Sequence, residues 1–240
     1  MKIALVFWGL TRSLNETYPN IKEKILDHLK ISKIDYKIFL HTYYFKGGYT
    51  DKRTGEMNIE LDFDEYKILN PDYYKIDNQD EIKKEININE YKKYRYSYED
   101  KTIENLICAL YSQMRATELI EKSGYKFDYI WYLRPDVIFN NSLPIRWLKW
   151  VNDNRFLVPN FASSGGINDR MAILKHDQAM IYGKRFLLID EYGKLLNGKK
   201  ISSEQFLSWV MRNYKSRRIN YLFKRLRSNG EYHYLDKKLF

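Results

Sequence analysis

The residues best placed to do chemistry in this chain of 240 amino acids are Arg134 and Asp136, separated by Pro135 at the end of the apolar run Asp128-Tyr-Ile-Trp-Tyr-Leu133. A guanidinium and a carboxylate at the end of a buried strand carry a desolvation cost unless they hold each other, a phosphate or a metal ion. Ligands of open α/β sheets lie in the crevice beyond the carboxyl ends of the strands, so the pair marks a candidate site. The plainer alternative is a surface ion pair after an edge strand. Gly9-Leu-Thr-Arg12-Ser13 forms a second candidate, with a glycine where backbone can approach a ligand and Arg12 and Ser13 as donors to a base, a ribose or a phosphate. It lacks the second and third glycines of a dinucleotide fingerprint, which argues against NAD. His41 ends another apolar run, and Gly165-Gly-Ile-Asn168-Asp169-Arg170 sets three polar side chains behind a flexible turn.

The elements that position these residues follow from periodicity. Lys2 to Trp8 is a continuous apolar run and is predicted to be a buried first strand; a helix is expected to open at Pro19, followed by a strand over Tyr36–Leu40. Strand, helix and strand in so short a span imply a right-handed unit with parallel strands. From Tyr43 to Glu99 the text is polar and rich in tyrosine, and loops with short elements along one sheet edge are expected. The clearest helix is predicted over Thr102–Lys122, with Asp100 or Thr102 as N-cap and Gly124 as its stop. Its apolar stripe, Ile103, Leu106, Ile107, Leu110, Met114, Thr117 and Ile120, also carries Gln113, whose amide needs a partner in the core or in a ligand pocket. Within Asp128–Phe139 a strand ending in Arg134 and Asp136 is then expected, followed by strands at Phe156–Val158 and Met171–Leu174, a helix over Asp177–Tyr192, and a last helix capped by Ser202-Ser-Glu-Gln205. Strands alternating with helices predict an α/β fold in a single domain, with a mostly parallel central sheet flanked by helices.

Composition bounds the function. A single cysteine, Cys108, excludes a disulfide framework or a cysteine zinc cluster and favours a reducing compartment; within an apolar helical pattern it reads as a core thiol. The apolar start is too short for a signal peptide and no run of about 18 apolar residues occurs, so a cytoplasmic, soluble protein is expected. The net charge of +10 permits anionic partners without choosing among them. The densest basic stretch, Lys215, Arg217, Arg218, Lys224, Arg225 and Arg227 among Tyr221, Leu222, Phe223 and Leu226, is expected to be a solvated helix face or a peripheral contact with anionic membrane. No nucleic-acid-reading motif occurs and the aromatics are dispersed, so nucleic acid is not an expected partner.

In order along the chain, Ala4-Leu-Val-Phe-Trp8-Gly9-Leu-Thr-Arg12-Ser13, Ile38-Phe-Leu-His41-Thr-Tyr43, Ser112-Gln113, Tyr132-Leu-Arg134-Pro-Asp136 and Asn168-Asp169-Arg-Met-Ala172 resemble a family of small viral and bacterial glycosyltransferases of GT-A type, from capsule, lipopolysaccharide and large-DNA-virus glycan synthesis. The resemblance implies a Rossmann-like fold with residues 1–140 as the nucleotide-sugar half and 141–240 as the acceptor half. It also implies a nucleotide-diphosphate sugar donor, a UDP-sugar foremost, a glycan or glycoconjugate acceptor, and Mn²⁺ or Mg²⁺ under the diphosphate. Such enzymes commonly hold the cation with Asp-X-Asp, hard oxygen ligands for a hard ion; here Arg134 stands in the first position. The resemblance casts Trp8, Gly9, Arg12, His41, Gln113, Arg134 and Asn168 as donor-binding residues and Asp136 as metal ligand or catalytic group. For inverting transfer Asp169 becomes the candidate base, with Glu204 second because acids favour a helix start for dipole reasons alone; the sequence does not separate inverting from retaining chemistry. A protein that keeps the fold and binds nucleotide or carbohydrate without catalysis is the alternative.

Overall fold

The structure, a computed structural model, describes residues 1–94, 100–198 and 200–240, without the side chains of Arg53, Asp100 and Lys101. Among the described residues eleven strands follow in chain order: β1 Lys2–Trp8, β2 Asp35–Tyr44, β3 Tyr49–Asp51, β4 Glu56–Ile59, β5 Tyr73–Asn78, β6 Tyr129–Leu133, β7 Val137–Phe139, β8 Arg155–Pro159, β9 Ala172–Leu174, β10 Lys215–Ile219 and β11 Phe223–Arg225. Seven of them form the central sheet in the order β10-β8-β9-β6-β1-β2-β5. Only β9 runs against its neighbours; every other pairing in this sheet is parallel. The α/β expectation with a mostly parallel sheet therefore holds.

The period of two along β1 builds both layers of the core. Ala4, Val6 and Trp8 pack under α4 (Asp100–Ser123), α5 (His176–Gly183) and α7 (Ser203–Val210), while Ile3, Leu5 and Phe7 face α1 (Leu14–Ile21) and α2 (His28–Ile31). A parallel strand covered on both faces has to be apolar throughout, which is why Lys2–Trp8 reads as an uninterrupted run. Each fully buried aliphatic or aromatic side chain stabilises by about 1.5–3 kcal/mol.

Several boundaries differ from the sequence reading. The first helix opens at Leu14, not Pro19, and Pro19 lies inside it; the backbone then passes into π-helical bonding over Lys22–Asp27. Proline removes one helical N–H, and a local change of register accommodates such a defect. The expected helix Asp177–Tyr192 is broken after Gly183 by a 3-10 turn, Arg185–Leu188, before α6 (Ile189–Leu195) begins. The tyrosine-rich stretch supplies the hairpin β3–β4, the edge strand β5 and α3 (Gln79–Glu85), with residues 95–99 outside the described residues. The basic stretch near the C-terminus is not a helix: it holds β10 at the sheet edge and β11, which pairs antiparallel with β7.

The break between β6 and β7 matters most for the site. At Arg134-Pro135-Asp136 the chain leaves the central sheet, and β7 pairs Val137 with Arg225 and Phe139 with Phe223. Leu226 N–H donates to the Asp136 carbonyl at 2.9 Å, so the residues that follow β11 are drawn against Asp136.

Close helix packing on the other face depends on Gly183. A Cβ there would strike Thr117 Oγ1 and the Tyr132 hydroxyl, which bond each other at 2.8 Å while Tyr132 also donates to the Ala179 carbonyl at 2.9 Å. Alanine would gain up to about 1 kcal/mol of helix propensity, but overpacking costs about 1–3 kcal/mol and wins. Gly183→Ala is expected to lower the urea midpoint; an unchanged midpoint would show that the layer gives way.

Candidate active site

Three arginines converge on one buried carboxylate. Arg134 grips Asp136 with both arms of its fork, Nε to Oδ1 at 2.7 Å and Nη2 to Oδ2 at 2.6 Å. Arg12 Nη2 reaches Oδ2 at 3.4 Å from the turn after β1, and Arg227 Nη1 stands 3.8 Å from the same oxygen. The Asp136 side chain is 2% exposed, Arg12 8% and Arg227 7%; Arg134, at 22%, is the member that opens to solvent. Burial alone would raise the Asp136 carboxyl, but Arg134, then Arg12 and Arg227, hold it well below the usual carboxylate range. Arg227 is lowered to about 9, first by burial and then by Arg12, with Asp136 opposing. The Arg134 guanidinium lies 5.4 Å from the centre of the Trp8 ring, a cation–π contact at the end of β1.

The β3–β4 hairpin closes one side of this cluster. Arg12 donates to the Tyr49 hydroxyl and lies 4.9 Å from that ring's centre. Glu56, fully buried, sits 3.8 Å from Arg12 Nε and accepts from Ser228 N at 3.0 Å and Ser228 Oγ at 2.6 Å. Glu56 thus joins the hairpin to the C-terminal segment across the arginines.

Gly9 is held by a polar chain beneath the sheet ends. Its N–H donates to Ser112 Oγ at 2.8 Å, which lies 2.8 Å from His41 Nδ1, while His41 Nε2 lies 3.1 Å from Asp77 Oδ2. In a neutral imidazole with Nε2–H on Asp77, Nδ1 is an acceptor toward the Ser112 hydroxyl, which also lies 3.1 Å from the His41 carbonyl. Burial, opposed by Asp77, lowers the His41 pKa and agrees with that state. The order Asp-His-Ser resembles a nucleophile relay, yet Ser112 and His41 are both fully buried. The chain is a clamp that fixes the β1 turn, where Gly9 adopts φ +91°.

A loop between β8 and β9 supplies the opposing charge. Asp169 accepts from Ser203 Oγ, and its field reaches both Arg134 and Glu204. Glu204, in the first turn of α7, accepts from Ser202 Oγ at 3.0 Å; burial first, then the like charge of Asp169, raises its pKa. Gly166 N-terminal to Asp169 has no room for a Cβ, because the Glu204 carbonyl occupies that space. Ala162 and Ser164 adopt positive φ, of 47° and 39°, which places strain in this loop.

The other expected residues have different surroundings. Asn168 is fully buried and engaged within its own loop, donating to the Phe161 carbonyl at 2.7 Å and accepting from Arg170 N at 2.9 Å. Gln113 is fully buried, with its side-chain amide against the Tyr182 hydroxyl. Ser13 donates to the Leu226 carbonyl at 3.0 Å, and Leu14 N–H donates to Glu65 Oε2 at 2.7 Å, so a carboxylate already occupies the start of α1. His41, Gln113 and Asn168 thus support the site from behind, while Trp8, Arg12, Arg134 and Asp136 meet at the sheet's carboxyl edge.

The basic C-terminal stretch gives no support to a membrane contact. Arg217 stacks on Trp150 at 3.8 Å, Arg218 donates to the Gly166 carbonyl at 2.9 Å, and Arg225 grips Asp236 at 2.7 and 3.0 Å together with Arg170 at 3.1 Å. No helix among the described residues is long and apolar enough to cross a membrane. Sequence reasoning missed Arg227, Tyr49 and Glu56 as site residues; the only signal was the uneven spacing of arginines in a segment read as one face.

Asp136 does not fit the role of metal ligand. Both its oxygens are engaged by guanidinium groups, and a divalent cation would face three positive charges at contact range. Among the described residues no three His, Cys, Asp or Glu side chains group as a cation site.

No protein-family model and no curated protein matches this sequence. Among solved structures, the galactosyltransferase LgtC in complex with donor and acceptor sugar analogs is 12% identical, covering 90% of this chain and 73% of its own, with a TM-score of 0.45. An active-site mutant of LgtC, 12% identical, covers 89% and 70% with a TM-score of 0.44. Mouse xyloside xylosyltransferase 1 in its apo form, 10% identical, covers 91% and 85%, also at 0.44. At these identities and scores the likeness assigns no activity to this chain.

Removing the central carboxylate is expected to cost about 3–5 kcal/mol, because Asp136→Asn leaves buried guanidiniums uncompensated. The wild-type contribution is complete above the unfolded aspartate value of about 3.9 and falls away as pH drops through the depressed folded value. Chemical denaturation at pH 3–7 should therefore show wild type losing stability below about pH 4 and Asp136→Asn lacking that component. Parallel curves for the two proteins would refute the assignment.

Proposed function

We propose that this chain is a glycosyltransferase that moves a sugar from a nucleotide-diphosphate sugar, a UDP-sugar foremost, to a glycan, lipid-linked or protein-linked acceptor. The observation that carries the reading is a cationic cluster at the carboxyl edge of a mostly parallel sheet, within the field of a loop carboxylate, Asp169, that lies near Glu204 of α7. The resemblance of its motif series to that of small GT-A enzymes supports it. Glycosyl transfer breaks the bond between the anomeric carbon and a diphosphate oxygen, and the departing nucleoside diphosphate gathers negative charge while the sugar becomes oxocarbenium-like. Fixed guanidiniums stabilise that charge without reorganising at the moment of reaction.

The acceptor hydroxyl must lose a proton as it attacks. Asp169 takes this role in the proposal, positioned by Ser203, with Glu204 beside it. Burial first, then the like charge of Asp169, raises the Glu204 pKa and favours its protonated form. Trp8, buried at the end of β1, backs the Arg134 guanidinium at the same edge.

A panel of nucleotide sugars with mass detection of released nucleotide tests the reading; no release from any donor, with and without acceptor glycans, would sink it. Within an active protein, Asp169→Asn is expected to lower kcat by about 10²–10⁴-fold while nucleotide binding stays within about twofold. Wild-type turnover in Asp169→Asn would remove the base role.

A further inference from the structure

The arginine cluster offers far more donors than it uses. Three guanidinium side chains carry about fifteen N–H donors, and among the described residues they make four hydrogen bonds, two from Arg134 and two from Arg12. Arg227 makes none with its side chain; its charged partner is one Asp136 oxygen, 3.8 Å away. Arg12 Nε and Arg227 Nε are both buried without a hydrogen-bond partner. Buried donors are normally matched, so this set is built to face a group with several acceptor oxygens and more than one negative charge.

Packing does not account for Arg227. A buried guanidinium with one distant carboxylate, its pKa lowered by burial and then by Arg12, Arg225 and Arg134, weakens the folded state. What Arg227 adds is a third fork beside a partly open one. Forks match phosphate oxygens two at a time, and a diphosphate presents such oxygens on two adjacent phosphorus atoms.

We propose that Arg12, Arg134 and Arg227 bind the diphosphate of the donor directly, in place of a divalent cation, so that this chain takes up nucleoside diphosphates without metal. Asp136 acts as a positioning residue: it spaces the three forks and keeps them from repelling one another until the ligand arrives. The proposal rests on the nucleotide-sugar reading above and deepens it. It also explains why arginine stands where a metal site would carry its first aspartate: the charge that a cation would bring is already present in the protein.

The test is calorimetric titration of the whole chain with UDP and with inorganic pyrophosphate, in EDTA and in Mn²⁺ or Mg²⁺, for wild type, Arg227→Met and Arg227→Lys. Wild type is expected to bind both probes in EDTA, within about threefold of its affinity with metal. Arg227→Met is expected to lose at least about tenfold in affinity for both while its Tm rises, a pairing that a structural arginine would not give. If Arg227→Met does not fold, Arg227→Lys decides, with at least about fivefold weaker binding expected. Binding that requires Mn²⁺ or Mg²⁺ would overturn the proposal and leave the nucleotide-sugar reading standing, as would unchanged affinity in a folded Arg227 variant. Binding of neither probe under any condition, together with no nucleotide release from the donor panel, would overturn both.

Discussion

The rest of this site depends on the burial of Asp136 among like-charged arginines. One carboxylate, almost inaccessible to water, organises side chains from the β1 turn, the β6 end and the segment after β11. In water such pairs stabilise by less than about 1 kcal/mol; under the sheet edge the same pairing decides whether the charges can be buried at all. The geometry around it is correspondingly specific. Proline removes the ladder donor between Arg134 and Asp136, the chain departs from the central sheet, and β7 recruits β11.

Two further polar devices make that arrangement rigid. Glu56 ties the β3–β4 hairpin to Ser228, and Asp236 ties Arg170 of the carboxylate loop to Arg225. Both are buried acids matched by several donors, the condition under which buried charge specifies one geometry. The Asp77-His41-Ser112 chain does the same for Gly9 from below. The resemblance to a catalytic relay is one of composition, whereas burial and the backbone partner define what the chain does.

The parts legible in the sequence are those whose physics is local. Lys2–Trp8, the Ile38–Tyr43 part of β2 (read from sequence as Tyr36–Leu40) and Tyr129–Leu133 are buried on both faces or nearly so, and the stripe from Ile103 to Ile120 marks α4 without ambiguity. By contrast β5, β10 and β11 read Tyr-Tyr-Lys-Ile-Asp-Asn, Lys-Ser-Arg-Arg-Ile and Phe-Lys-Arg, charged segments whose strand state comes from pairing at an edge. The same division holds at the site. Arg134 and Asp136 are neighbours in sequence and were legible as a pair; Arg227, Tyr49 and Glu56 reach them only through the hairpin and β11, a tertiary fact with no local signature. Gly183 ending α5 against Thr117 and Tyr132 is likewise invisible until the layers are assembled.

The antiparallel ladder between β7 and β11 has a consequence for the order of assembly. Ser13 and Leu226, bonded to each other, are 213 positions apart, so the loop they close is among the longest the chain contains and is entropically the last to be rewarded. During synthesis the central strands β1, β2, β6, β8 and β9 all emerge before Phe223. A sheet with its layers in place can therefore precede the packing around Arg12, Arg134 and Asp136, and the arginine cluster is completed only when the segment after β11 is laid against it.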